Sequence, residues 1–151
     1  MRLAGAAFAM AWLATPSVAA GGGVGDGNMS TEADIQWLSE PEEHDYPAAG
    51  SYLSLIFDQR TAAGLVQQLR RAAKSNFKAK DIFRASGLSL LGISNLHVEK
   101  DRKKIKEGKR LSPLLLVRDK ANGKVVIADG YHRLCAVYSF DEDAPIPCKI
   151  V

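Results

Sequence analysis

After Pro47 the chain is almost continuously apolar. Tyr52, Leu53, Leu55, Ile56 and Phe57 predict a helix opened by the proline, with its body over 51–57. From 61 to 73 the pattern is amphipathic: Leu65, Leu69 and Ala72 share one face, while Gln67, Arg70, Arg71 and Lys74 take the other. Residues 86–95 are rich in Gly, Ser and Leu and predict a loop, and 98–106 predict a short polar helix. Pro113 then precedes Leu114, Leu115, Leu116 and Val117, an unbroken apolar run of the kind that forms a strand buried on both faces. Asn122-Gly123 is a hairpin turn signal, with 125–127 as the return strand. A helix is expected over 131–140, ended by Asp141, Glu142, Asp143 and Pro145, and a last strand over 146–151. The fold class is therefore α+β: a small mixed sheet with helices, preceded by an N-terminal helical segment.

With 151 residues, 46% of them hydrophobic and 25% charged, the chain has the makings of one folded domain, or two if one is very small. A net charge of +3 is too mild to argue for nonspecific nucleic-acid binding. Cys135 and Cys148 make no disulfide scaffold, and neither zinc nor haem is expected, because no His/Cys ligand spacing occurs. No apolar run approaches the roughly 18 residues of a membrane span, so no membrane partner is expected.

Residues 1–28 stand apart. Arg2, the apolar 3–13 stretch and the small residues up to Ala20 follow the layout of a signal peptide, which would imply export. Alternatively Met29 is the true start and 1–28 is translated upstream sequence. Residues 29–76 then form an acidic and afterwards basic helical segment, and 77–151 the core domain. Charged side chains from Glu32 to Asp58 are acidic, whereas Lys100, Arg102, Lys103, Lys104, Lys106, Lys109 and Arg110 form a dense basic run.

The chemistry is concentrated at Asp129-Gly130-Tyr131-His132-Arg133, where a buried strand passes through glycine into a helix. Free N–H groups and the positive dipole end at a helix start favour an anion. Gly130 would let backbone approach it, Arg133 would grip phosphate oxygens in bidentate fashion, and His132 would add a donor. Asp129 would hold Mg²⁺ beside the phosphates, or else cap the helix. On this reading Arg133→Ala weakens ligand binding and leaves the fold intact.

The stretches "LSPLLLVRD", "NGKVVIADG", "GYHRLCAVY" and "IPCKIV", after a polar helix, resemble the ParB/sulfiredoxin superfamily over about half the chain. Members of that superfamily hold nucleotide phosphates at the matching helix start, as Gly-x-Arg-Arg or Gly-Cys-His-Arg. The DGYHR form is also similar to the Asp-Gly-His-x-Arg pattern of related free-serine kinases. The resemblance implies a nucleoside tri- or diphosphate ligand with Mg²⁺, bound by Gly130, Tyr131, His132 and Arg133, with His97 and Lys100 at the pocket and phosphoryl transfer or hydrolysis as the reaction. Glu99 stands as the counterpart of the kinases' catalytic glutamate. Two departures narrow this. Tyr131 occupies the place of the sulfiredoxin nucleophile, which argues against sulfinic acid reduction. No helix-turn-helix follows the last strand, which argues against centromere-type DNA reading.

Two other functions compete with a cytoplasmic nucleotide-binding protein. The basic run would track a nucleic-acid backbone, or else be a solvated helix face balanced by Glu99, Asp101 and Glu107. The acidic segment would serve a noncatalytic adaptor, with a homodimer among its expected partners. Cys135 and Cys148 read as buried small hydrophobes in the cytosol, or as a pair if the protein is exported.

Overall fold

The run Leu114-Leu115-Leu116-Val117 explains how the molecule is layered. In the computed structural model, which describes residues 34–151, this run forms most of strand β2 (Leu114–Asp119), and all four side chains are buried. Successive strand residues point to opposite faces. Leu114 and Leu116 accordingly join one hydrophobic cluster, and Leu115 and Val117 a second on the other face. The expectation of a strand covered on both sides holds. The 1–28 segment, Met29 and Glu32 lie outside the described residues.

The second cluster is closed by helices α1 (Asp45–Leu53) and α2 (Gln59–Arg71), which supply Tyr46, Ala49, Leu53, Ala62 and Leu69. The first cluster is closed by α3 (Ala79–Ser86), α4 (Leu96–Lys106) and α5 (Tyr131–Tyr138), through Ile82, Val98, Ile105, Leu134 and Val137. Between them lies a four-stranded mixed sheet in the order β1-β4-β2-β3. β1 (Lys74–Lys78) pairs antiparallel with β4 (Pro145–Ile150), β4 runs parallel to β2, and β2 forms an antiparallel hairpin with β3 (Lys124–Asp129). The architecture is α+β, with five helices and one mixed sheet among the described residues.

Local chemistry accounts for most element ends. Asp58 accepts from the Thr61 N–H at 3.0 Å and so starts α2. Asn95 accepts from the N–H groups of His97 and Val98 and starts α4. In the hairpin, Asp119 holds Asn122 through both carboxylate oxygens, and Gly123 takes the left-handed conformation with φ 62°.

Three expectations are corrected. The first helix spans Asp45–Leu53 and not 51–57. Its buried residues Tyr46, Ala49 and Leu53 recur at helical spacing and begin before Pro47, which is tolerated in the first turn because no N–H is needed there. Beyond Leu53 the chain turns, leaving Leu55 82% exposed. The helix over 131–140 stops at Tyr138. β1 and α3 are additional elements. β1, with sequence KSNFK and mostly exposed, becomes a strand because β4 pairs with it residue by residue. Among the described residues, no helix is long and apolar enough to cross a membrane. Cys135 and Cys148 are free and buried; burial pushes the Cys148 thiol up to about 12.

Candidate functional site

The pairing of β2 with β3 slips between Leu115 and Leu116, so that Leu116 opposes Ile127 while Leu115 opposes Asp129. Ala128 is the extra residue of this bulge, a device that re-aims the side chains next to it. Directly afterwards Gly130 adopts φ 105° and opens α5. It has no room for a side chain: a Cβ there would lie 2.7 Å from Leu114 Cγ and 3.0 Å from the Arg133 guanidinium. The missing Cβ of Gly130 therefore serves the protein's own interior.

Arg133 turns inward. Its Nη2 donates to Asp129 Oδ2 in a short hydrogen bond, and its Nη1 lies 3.5 Å from Asp45 Oδ1. The Arg133 side chain is 12% exposed and that of Asp45 only 3%. Ser112 completes the cluster, donating its hydroxyl to Asp45 Oδ2 and accepting the Glu42 N–H at 3.0 Å. Arg133 Nε is buried without a partner among the described residues. Two carboxylates thus share one guanidinium where α1, the end of β3 and α5 meet. Burial raises the Asp129 pKa, Arg133 pulls it down, and the neighbouring Asp45 pushes it up again. Asp45 had no signal in the sequence, where it was one acid among several in an acidic segment.

This arrangement changes the roles assigned to two residues. The bidentate grip of Arg133 is spent on protein carboxylates. Asp129 is the last residue of β3 and does not cap α5, whose N-cap is Gly130, with no side-chain cap. Asp129 is also a poor fit for Mg²⁺, because Oδ2 already accepts from Arg133 and a guanidinium occupies the side a cation would take. Glu42, His44 and Asp45 bring ligand atoms within 4.8 Å of one another, but Asp45 is likewise committed to Ser112 and Arg133.

The remaining candidates converge. His97 and Lys100 from α4 and His132 from α5 line one cavity of about 370 Å³ together with Lys103, Lys104 and Lys109. Among the described residues, Asp101 and Glu107 are its only carboxylates, against four lysines. They pair with Lys104 at 3.2 Å and Lys109 at 2.7 Å, whereas no ion pair engages Lys100 among the described residues. The His97 and His132 rings lie 4.9 Å apart. Burial lowers the His132 pKa, and His97 lowers it further. His132, Gly130 and Tyr131 also line a second, more apolar cleft of about 410 Å³ with Asp129. Tyr131 is anchored by its hydroxyl, which donates to the Ser89 carbonyl. Glu99 lies outside both cavities, beside Arg102 at 3.6 Å. Of the basic run, Arg102 packs inward over Phe140 and donates to Ser139. Compared with protein-family models, with curated proteins and with solved structures, the chain matches none.

Proposed function

We propose that this chain is a ParB/sulfiredoxin-like α+β domain that binds a nucleotide or another phosphorylated small molecule beside the start of α5, in the cytoplasm where nucleotides are abundant. The observation that carries this reading is the cavity shared by His97, Lys100 and His132. Two of these residues come from α4 and the third from α5, and lysines predominate among their neighbours. The start of α5 at Gly130 and Tyr131 lines the adjoining cleft, and His132 in its first turn belongs to both hollows. Mg²⁺ accompanies such a ligand through the ligand's own phosphates, and turnover by phosphoryl transfer or hydrolysis is a separate question for assay. The nucleic-acid reading draws less support, since Arg102 packs inward and no aromatic side chain is interleaved in the 100–110 run for base stacking.

The test is a thermal-shift and calorimetric screen of the full chain against ATP, ADP, CTP and GTP, with and without Mg²⁺. At least one should bind. Lys100→Ala should then weaken it about tenfold, the size of a lost charge-assisted hydrogen bond, without lowering the melting temperature of the free protein. An affinity unchanged by Lys100→Ala rejects the cavity as the phosphate site.

The site also implies a pH dependence. In the free protein, burial, His97 and Arg133 disfavour the protonated His132 imidazole, while Asp101 favours it. A bound phosphate stabilises the imidazolium, so binding takes up a proton and affinity rises as pH falls from 7.5 towards 5.5. Titrations of the wild type and of His132→Gln at both values check this. Equal pH responses in the two proteins would exclude His132 from contact with the ligand.

A further inference from the structure

Between α3 and α4 the chain turns large apolar side chains outward. Leu88, Leu90, Ile93 and Leu96, four within nine residues, are between 44% and 66% exposed. A single exposed leucine is ordinary, whereas a cluster of this kind marks a surface for something to cover. The loop that carries them is anchored. Leu91 packs against the first hydrophobic cluster, the Ser89 carbonyl accepts from the Tyr131 hydroxyl, and the Asn95 N–H donates to the Gly92 carbonyl at 3.0 Å. Held at these points, the loop keeps its other apolar side chains away from the core. From Ala85 to Val98 there is no Asp, Glu, Lys or Arg, so this stretch can leave water without desolvating one of those charges. Tyr52 of α1 lines two hollows with Leu88 and adds an amphipathic ring of the kind found at membrane–water interfaces.

Leu96 also begins α4, and Lys100 and Lys103 follow it at i+4 and i+7 on the same exposed face. Over residues 99–110, seven cationic side chains stand against three carboxylates, in a chain whose whole net charge is +3. We infer that this face, the 88–96 loop with the exposed side of α4, docks on an anionic lipid bilayer. The loop enters the interface and the lysines meet the headgroups. No described helix is long and apolar enough to cross a membrane, and a peripheral contact requires none. The combination of aliphatic side chains with lysines selects this partner. Nucleic acid would use the charge and leave the leucines in water, and protein–protein hot spots favour Trp, Tyr and Arg over Leu. The inference is independent of the nucleotide reading, since Leu90, Ile93 and Leu96 line neither the lysine cavity nor the cleft.

Co-sedimentation of the full chain with vesicles tests the inference, using phosphatidylcholine alone and an equimolar phosphatidylcholine–phosphatidylglycerol mixture. The chain should bind the anionic vesicles about tenfold or more tightly than phosphatidylcholine, and should be released as salt rises. Leu90→Ser combined with Ile93→Ser should weaken that binding about tenfold or more, since each change removes apolar surface that the bilayer would bury. The same variant should keep its melting temperature and any nucleotide affinity, because both side chains are more than half exposed. Lys100→Ala combined with Lys103→Ala should weaken vesicle binding by about fivefold per lysine. No binding to the anionic vesicles, or equal binding to both kinds, would overturn the inference. Vesicle binding untouched by the Leu90 and Ile93 changes would also reject it, because the attachment would then lie elsewhere in the chain. A chain that ignores vesicles but retains duplex DNA, or forms a dimer that the Leu90 and Ile93 changes abolish, would give the surface to that partner instead.

Discussion

Arg133→Ala should destabilise the fold by about 3–5 kcal/mol, because it leaves buried carboxylates without their counter-charge. The Arg133 guanidinium is the cation shared by Asp129 and Asp45, and the Asp45 side chain is 3% exposed. A melting-temperature loss on the order of 10 °C or more is expected for a domain of this size. The loss should depend on pH in a defined direction. Asp129 already sits above its ordinary pKa because of burial and the Asp45 charge, and removing Arg133 takes away the influence that pulls it down. A carboxyl group raised in the folded state contributes stability fully below its unfolded pKa and loses that contribution as pH rises through the folded value. The variant should therefore recover part of its stability between pH 7.5 and pH 5. Adding Asp129→Asn should restore part of it at neutral pH, since the amide carries no charge to bury. An Arg133→Ala protein as stable as the wild type at every pH would contradict the buried cluster. The same result would return Arg133 to the ligand-gripping role that the DGYHR pattern suggests.

Gly130→Ala should be nearly as damaging, costing about 2–5 kcal/mol from two sources: backbone strain at positive φ and overpacking of the core. Gly130 holds φ 105°, and a Cβ would stand 2.7 Å from Leu114 Cγ, inside the first hydrophobic cluster. Gly123 is the control. It also has a positive φ, 62°, but nothing lies within 4 Å of a Cβ built there. Gly123→Ala reports the cost of a backbone near the left-handed minimum, φ 105° at Gly130 adds strain beyond that, and rescue by enlarging the space at Leu114 isolates the clash. Adding Leu114→Ala opens space beside Gly130, so the double variant should be less destabilised than the sum of the singles. Equal costs at the two glycines would mean that Leu114 moves aside freely. The predicted excess has a consequence for function, since the start of α5 is held in place by its packing as well as by its hydrogen bonds.

The residues that carry local signals were legible from the sequence. The run from Leu114 to Val117 announced a strand covered on both faces, Asn122-Gly123 announced the hairpin, and Gly130 marked the passage from β3 to α5. Each of these depends on side-chain period or backbone conformation over a few residues, which neighbours in the chain determine. His97, Lys100 and His132 were also identifiable as site candidates, through their chemistry and a resemblance of pattern, and they line one cavity.

The tertiary structure decided which way the charges turn. Arg133 looks the same in sequence whether it faces a ligand or a protein carboxylate, and the choice was made by Asp45, carried to it by the packing of α1 on the sheet. Tyr52 and Leu88 became the rim of a cleft in the same way, with α1 and the 87–95 segment converging on β3. β1 exists because β4 pairs with it, although its own residues have a weak strand pattern. Propensity and periodicity act over one or two turns of chain. Salt-bridge partners, cavity walls and edge-strand pairing are selected by burial between distant segments, where the cost of an unpaired charge or backbone group imposes the match.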